Sequence, residues 1–231
     1  MFNGIVLVVD DEEEIRDLLE IYLTGENLEV IKAKDGIEAL NILKERHVDL
    51  IILDVMMPQM DGIRACIKIR EEKDIPIIML SAKSEDVDKI LGLNNGADDY
   101  VTKPFNPLEL MARVKSQLRR LKRLNKQDEP DNDQIIINGL SINTITREVS
   151  VDGRQVRLTP IEFSILELLA RNKGRVMSIE NIYTNVWNEP FYNSDNTVAV
   201  HIRNIREKIE INPREPKYIK VIWGVGYKIE K

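Results

Sequence analysis

The sequence has one cysteine, Cys66, so no internal disulfide is possible and a reducing, cytoplasmic setting is expected. Cys66 itself reads as a small apolar filler on a helix. No apolar run approaches the roughly 20 residues that a membrane crossing needs. The opening "MFNGIVLVVDDEEE" lacks a basic region ahead of its short apolar stretch, which argues against a signal peptide. No membrane partner is therefore expected. Internal repeats are missing too, and only the segment around "DEPDND" is compositionally biased. What is present is 231 residues, 43% hydrophobic and 31% charged, enough for two folded domains with a core each.

A net charge of −6 argues at first against a nucleic-acid partner. Its distribution argues otherwise. Residues 1–127 carry 19 Lys+Arg against 24 Asp+Glu, whereas residues 134–231 carry 14 against 11 and are net positive by 3. Two halves of opposite sign suggest two functions.

The first half alternates apolar runs with helical patterns. "IVLVV" (5–9), "LIILD" (50–54) and "PIIML" (76–80) are nearly continuous, as in parallel strands covered on both faces, and "EVIKA" and "DYVT" complete a set of five. Ile15, Leu18, Leu19, Tyr22 and Leu23 repeat on one helical face, as do Leu108, Met111, Val114 and Leu118. The expected architecture is an α/β doubly wound, five-stranded parallel sheet.

In such sheets chemistry gathers beyond the carboxyl ends of the strands. Asp10 and Asp11 follow the first run, Asp54 ends the third, Ser81 follows the fourth, and Lys103 with Pro104 follows the fifth. Singly, each has a plain structural reading: Asp10 and Asp11 as a helix cap before "EEEIRDLL", Ser81 as a cap before "EDVDKI", and Lys103 as a surface lysine. Jointly they make an acidic oxygen cup suited to Mg²⁺, with Asp54 as a nucleophile for a phosphoryl group. Lys103 can neutralise phosphoryl charge, and Ser81 can donate a hydrogen bond to it.

These residues, in "VVDDE", "LDVMMPQMDG", "LSAK" and "DDYVTKPF", closely resemble the receiver domain of bacterial response regulators, from residue 4 to about 122. The resemblance implies a flavodoxin-like receiver in which Asp54 accepts a phosphoryl group from a sensor histidine kinase. It implies Mg²⁺ held by Asp10, Asp11, Asp54 and the backbone carbonyl of Met56, and a cis peptide before Pro104. Ser81 and Tyr100 are then the switch pair, and Lys83 with Met56 occupies positions that tune dephosphorylation. The helix around 85–95, the last strand and the helix from 106 to about 123 form the implied dimer face. Its charges are Lys89, Asp98, Asp99, Glu109, Arg113, Arg119 and Arg120, with Lys89–Glu109 and Asp99–Arg113 as intermolecular bridges.

The apolar period stops after Leu124, and residues 125–133 read as a flexible linker between a receiver at 1–124 and a second domain at 134–231. There, Asn-Gly and Asp-Gly punctuate short strands in the manner of hairpins. "LTPIEFSILELLARNKG" predicts a helix with Thr159 as N-cap, Pro160 first, Glu162 three after the cap and Gly174 beyond the end. A second helix is expected at about 178–187, then the loop "NEPFYNSDN", then the helix "TVAVHIRNIREKIEI", and finally a hairpin around Gly224 and Gly226. In the third helix Val198, Ile202, Ile205 and Ile209 should face the core, leaving Thr197, Val200, Arg203, Asn204 and Arg206 largely elsewhere. That outward set suits either a solvated basic face or major-groove readout.

"LTPIEFSILELL", "TVAVHIRNIREKI" and "WGVGYKI" resemble the α+β winged-helix domain of OmpR/PhoB-type transcription factors. The resemblance implies promoter DNA as partner, RNA polymerase facing the loop, and DNA contacts from Thr197, Arg203 and Arg206. His201 positions the helix or meets phosphate. Asn204 and Trp223 stand where many relatives are basic, and Lys220 and Lys228 can supply phosphate contact. Several stretches, among them "ARVKSQLRRLKR", look most like VanR-type regulators of glycopeptide resistance. The implied whole is a non-enzymatic transcription factor that dimerises on phosphorylation. Two rivals are a haloacid-dehalogenase-type phosphatase, which needs an acid where Met56 stands, and a flavodoxin-type flavin module, whose phosphate loop would not be acidic.

Overall fold

The computed structural model describes residues 4–82, 92–93, 95–124, 134–188 and 197–230, with the side chains of 82 and 120–124 left aside. The expected linker 125–133, the loop 189–196, Lys83 and Lys89, and the Arg120 side chain lie outside the described residues. The chain divides into two compact units, Met1–Leu121 and Lys122–Lys231.

In the first unit, strands β1 (Ile5–Val9), β2 (Glu29–Ala33), β3 (Leu50–Asp54), β4 (Ile77–Ala82) and β5 (Asp99–Lys103) form a parallel sheet in the order β2-β1-β3-β4-β5. All five residues of β3 are buried, as a central strand covered on both faces must be. Helices α1 (Glu13–Gly25), α2 (Gly36–Glu45), α3 (Gly62–Glu72) and α4 (Pro107–Leu124) cover it. One face packs Val6, Val8, Ile52 and Leu80 against Leu19 and Leu23 of α1 and Val114 and Leu118 of α4. The buried stripes are narrower than expected. Leu18 and Tyr22 stay partly exposed, and Leu108 is 72% exposed on the first turn of α4, where Leu110 turns inward instead. Asp35 caps α2 and Asp61 caps α3 through backbone N–H groups.

The second unit begins with an antiparallel meander, β6 (Gln134–Ile137), β7 (Leu140–Asn143), β8 (Val149–Val151) and β9 (Arg154–Val156). Both of its Gly-containing turns, Asn138-Gly139 and Asp152-Gly153, have positive φ at each residue, the geometry that tight hairpins favour. Helix α5 (Pro160–Arg171) starts with the predicted capping box: Thr159 accepts from Glu162 N, and Glu162 accepts from Thr159 N. Then come β10 (Met177–Ser178), α6 (Ile179–Trp187), α7 (Thr197–Ile209), β11 (Ile219–Ile222) and β12 (Gly226–Ile229). The last two strands make a hairpin, and β10 joins it in the order β10-β12-β11. Phe163, Leu166, Trp187, Val198, Ile202 and Ile205 lie at the centre of this core. No described helix is long and apolar enough to cross a membrane.

Candidate functional site

Parallel strands deliver their carboxyl ends to one rim, and the topology puts β1 beside β3 and β3 beside β4 there. Asp10 is fully buried, Asp54 is 3% exposed and Asp11 is exposed. Their carboxylate oxygens lie within 4.8 Å of one another. At the entry to α1 Asp10 Oδ1 accepts from Glu12 N at 3.0 Å, while the N-cap residue Glu12 itself makes no side-chain cap bond. Lys103 reaches over from β5, with Nζ 2.7 Å from Asp10 Oδ2 and 3.1 Å from Asp54 Oδ1. The fold thus brings these four side chains together at one rim.

Crowded, half-compensated charge shifts protonation. Burial, then the charge of Asp10, pushes the Asp54 carboxyl up to about 6, against the pull of Lys103. Burial alone lowers the Lys103 ammonium pKa, but its bonds to Asp10 and the charge of Asp54 prevail and raise it. One lysine does not offset three carboxylates, and an all-oxygen, acidic, water-accessible donor set fits Mg²⁺.

Ser81 is buried in β4, in register with Thr102, and Tyr100 is partly buried in β5, in register with Met79. Met56 projects a 67% exposed side chain from the loop after β3. The Lys103–Pro104 peptide is cis. Gly62 has its own reason: a Cβ there would collide with the Asp54 carbonyl, so α3 can start this close only without a side chain. One contributor escaped the sequence reading. Arg16 Nη1 donates to the carbonyls of Asp10 (2.6 Å) and Asp11 (3.0 Å), clamping the acidic loop. Its only signal was a cation in an early turn of a helix, where the dipole favours acids.

Two acids of the expected dimer face have partners within the chain. Asp98 is fully buried and accepts from Arg70 Nη2 (2.7 Å) and Ile77 N (2.9 Å), so it faces inward. Asp99 and Arg113 pair within the chain at 2.9 Å, and Arg113 also holds Glu109 at 2.9 Å. Burial pushes the Asp99 carboxyl up despite that guanidinium.

On α7 the buried arc is wider than the apolar stripe. Thr197, Val200, His201 and Asn204 are all buried, along with Val198, Ile202, Ile205 and Ile209. At about 100° per residue these positions span roughly 200° of the helix. His201 fits a positioning role, its ring 5.7 Å from Trp187, which stacks on Tyr183 at 4.8 Å. Arg203 is exposed and pairs with Glu207 at 2.9 Å. Arg206 turns to the hairpin, donating from Nε (3.1 Å) and Nη2 (2.8 Å) to Ile219 O, so its guanidinium is a brace where a DNA contact was expected. Lys220 donates to Pro216 O, Lys228 pairs with Glu230 at 3.2 Å, and Trp223 is 88% exposed.

Residues 6–115 match the family described as "Response regulator receiver domain", and residues 153–229 match "Transcriptional regulatory protein, C terminal". Regulatory protein VanR of Enterococcus faecium is 50% identical over 98% of both chains. The alkaline phosphatase synthesis transcriptional regulatory protein PhoP of Bacillus subtilis is 47% identical over 99% of this chain and 98% of its own. The structure of the response regulator DrrB, an OmpR/PhoB homologue of Thermotoga maritima, covers 100% of each chain at 35% identity with a TM-score of 0.52. These matches leave the phosphatase reading without support. A receiver sheet followed by a C-terminal effector domain, matched end to end in both sequence and structure, makes this chain a member of the OmpR/PhoB-type transcriptional response regulators of two-component systems.

Proposed function

We propose that Asp54 is the phosphoacceptor and that its phosphorylation governs DNA binding by the second unit. The observation that carries this is the rim cluster, in which Asp10, Asp11 and Asp54 crowd within 4.8 Å and Lys103 reaches both buried carboxylates. In its ionised form an Asp54 oxygen attacks the phosphorus of a sensor histidine kinase's phosphohistidine. The new P–O bond forms as the P–N bond to the kinase histidine breaks. Asp10, Asp11, Asp54 and the Met56 carbonyl would hold Mg²⁺, which would neutralise phosphoryl charge when bound. Lys103 shares that work, and Ser81 donates to a phosphoryl oxygen, with Tyr100 as the second member of the switch.

We assign 1–124 to the receiver, 125–133 to the linker and 134–231 to the DNA-binding domain, in a cytoplasmic protein that catalyses nothing on a separate substrate. Dimerisation runs through β5, α4 and the segment before β5 about a twofold axis, with Glu109, half exposed, and Lys89 as the pair that bridges copies. Arg203 reads DNA, Lys220 and Lys228 meet phosphate, and the loop "NEPFYNSDN" faces RNA polymerase. The likeness to the Enterococcus faecium VanR supports target genes in cell-wall or glycopeptide resistance. The test is intact-mass analysis after incubation with a small phosphodonor and Mg²⁺. One added phosphoryl group is expected on the wild type and none on Asp54→Asn; a stable phosphoprotein from Asp54→Asn would sink the assignment.

A further inference from the structure

The three acids of the rim are held in place by unequal means. Asp10 is fully buried; its Oδ1 accepts from Glu12 N at 3.0 Å, its Oδ2 accepts from Lys103 Nζ at 2.7 Å, and its own N–H donates to Ala33 O at 3.2 Å. Asp54 closes the buried strand β3 and meets Lys103 Nζ at 3.1 Å. Asp11 has none of this support. Its carboxylate is exposed and has no hydrogen bond or ion pair among the described residues, yet it lies within 4.8 Å of the other two. Like charges push such a side chain out toward solvent, so its place in the cluster has to be set by its backbone.

That backbone is fixed by Arg16, a half-buried side chain of α1. Asp10 O and Asp11 O both accept from its nitrogen Nη1, at 2.6 and 3.0 Å. The two carbonyls belong to the peptide units on either side of the Asp11 Cα. Holding both planes fixes φ and ψ of Asp11, and with them the direction in which its side chain leaves the chain. A guanidinium nitrogen suits this task because its two hydrogens lie in a fixed plane. On charge alone the residue is misplaced: a cation early in a helix opposes the dipole, and a cation beside an acidic cup competes with the ion the cup would hold.

We infer that Arg16 is a positioning residue for the metal, holding the exposed Asp11 carboxylate in the cluster and thereby raising the affinity of the rim for Mg²⁺. The inference rests on the reading of Asp10, Asp11 and Asp54 as Mg²⁺ ligands. Charge and geometry act here in opposite directions, and their sizes decide the sign. The charge of a half-exposed guanidinium is screened by water and salt. Groups that orient metal ligands from behind are commonly worth about ten- to a hundredfold in affinity, so the geometry prevails.

The experiment uses the full-length chain and Mn²⁺, an oxygen-seeking ion whose free form is counted by electron paramagnetic resonance, with Mg²⁺ as competitor. Arg16→Met keeps the stem and removes the donors and the charge, and it is expected to weaken binding of both ions about tenfold. The same change in an Asp11→Asn background is expected to cost nothing further, since its effect passes through that carboxylate. A merely structural role would lower the thermal midpoint in EDTA and leave the metal affinity of the folded chain unmoved. Should Arg16→Met not fold, Arg16→Gln, whose amide stops short of the Nη1 position, gives the same comparison. Unchanged or tighter metal binding in Arg16→Met, or equal losses with and without Asp11→Asn, overturns the positioning role. If Asp11→Asn alone binds as tightly as the wild type, or the wild type binds no Mn²⁺, the ligand reading falls first and the positioning role with it.

Discussion

Asp54 is the residue at which folding and function pull apart. Its folded pKa of about 6 exceeds the ordinary 3.8, so the native state holds its proton more tightly than the unfolded chain. That contribution is complete below about pH 4 and is lost as pH rises to about 6, above which the ionised group costs stability. Asp54→Asn should accordingly raise the thermal midpoint at pH 7.5, by up to about 3 kcal/mol of stability, and change it little at pH 4. Mg²⁺ should also raise the wild-type midpoint, more at pH 7.5 than at pH 5, because protons compete for the same oxygens; equal shifts at both pH values would count against the cluster as the metal site. Gly62→Ala should cost at least about 1 to 3 kcal/mol and slow phosphoryl acceptance, since its Cβ runs into the Asp54 carbonyl. At this scale the sequence was informative wherever a residue stood at a strand end, as Asp10, Asp54 and Lys103 do. It was silent on Arg16 and Glu210, whose partners are backbone groups that carry no side-chain signature.

Among the elements, the strands and the capping box at Thr159 were legible because short-range periodicity and local chemistry set them. Which charges face outward was not. Asp98 and Asp99 are adjacent in sequence, yet both are buried by tertiary contacts, Asp98 under Arg70 from α3 and Asp99 under Arg113 from α4. The Arg70 side chain also donates to Gly96 O (2.7 Å) and Ile75 O (2.6 Å), tying the end of α3 to the entries of β4 and β5. Removing one partner of a buried pair leaves the other uncompensated, so Arg70→Ala should destabilise the receiver by about 3 to 5 kcal/mol in denaturant titration. A loss under 1 kcal/mol would show the pair to be incidental. On α7 the same blindness applied: a stripe of four apolar residues was visible, but the burial of Thr197, Val200 and Asn204 needed the surrounding fold. For the dimer face, Glu109→Lys is expected to abolish phosphorylation-dependent dimerisation in sedimentation velocity, because it sets a like charge against Lys89 of the second copy; a dimer that persists would move the interface elsewhere.

For the whole molecule, opposite net charges in the two halves of the sequence already separated an acidic unit from a basic one, and the contact division at Leu121 falls close to where the apolar period fades. Each unit has its own buried core, so fragments 1–124 and 134–231 should each unfold cooperatively alone. The central claim is that chemistry at Asp54 is read out as DNA binding a domain away. It is tested most directly by measuring the affinity of the full chain for an enriched duplex, with and without a small phosphodonor and Mg²⁺, in the wild type and in Asp54→Asn. The account predicts that the phosphodonor tightens wild-type binding several-fold and leaves Asp54→Asn unmoved. Equal tightening in both, or none in a wild type shown by mass to be phosphorylated, would contradict it.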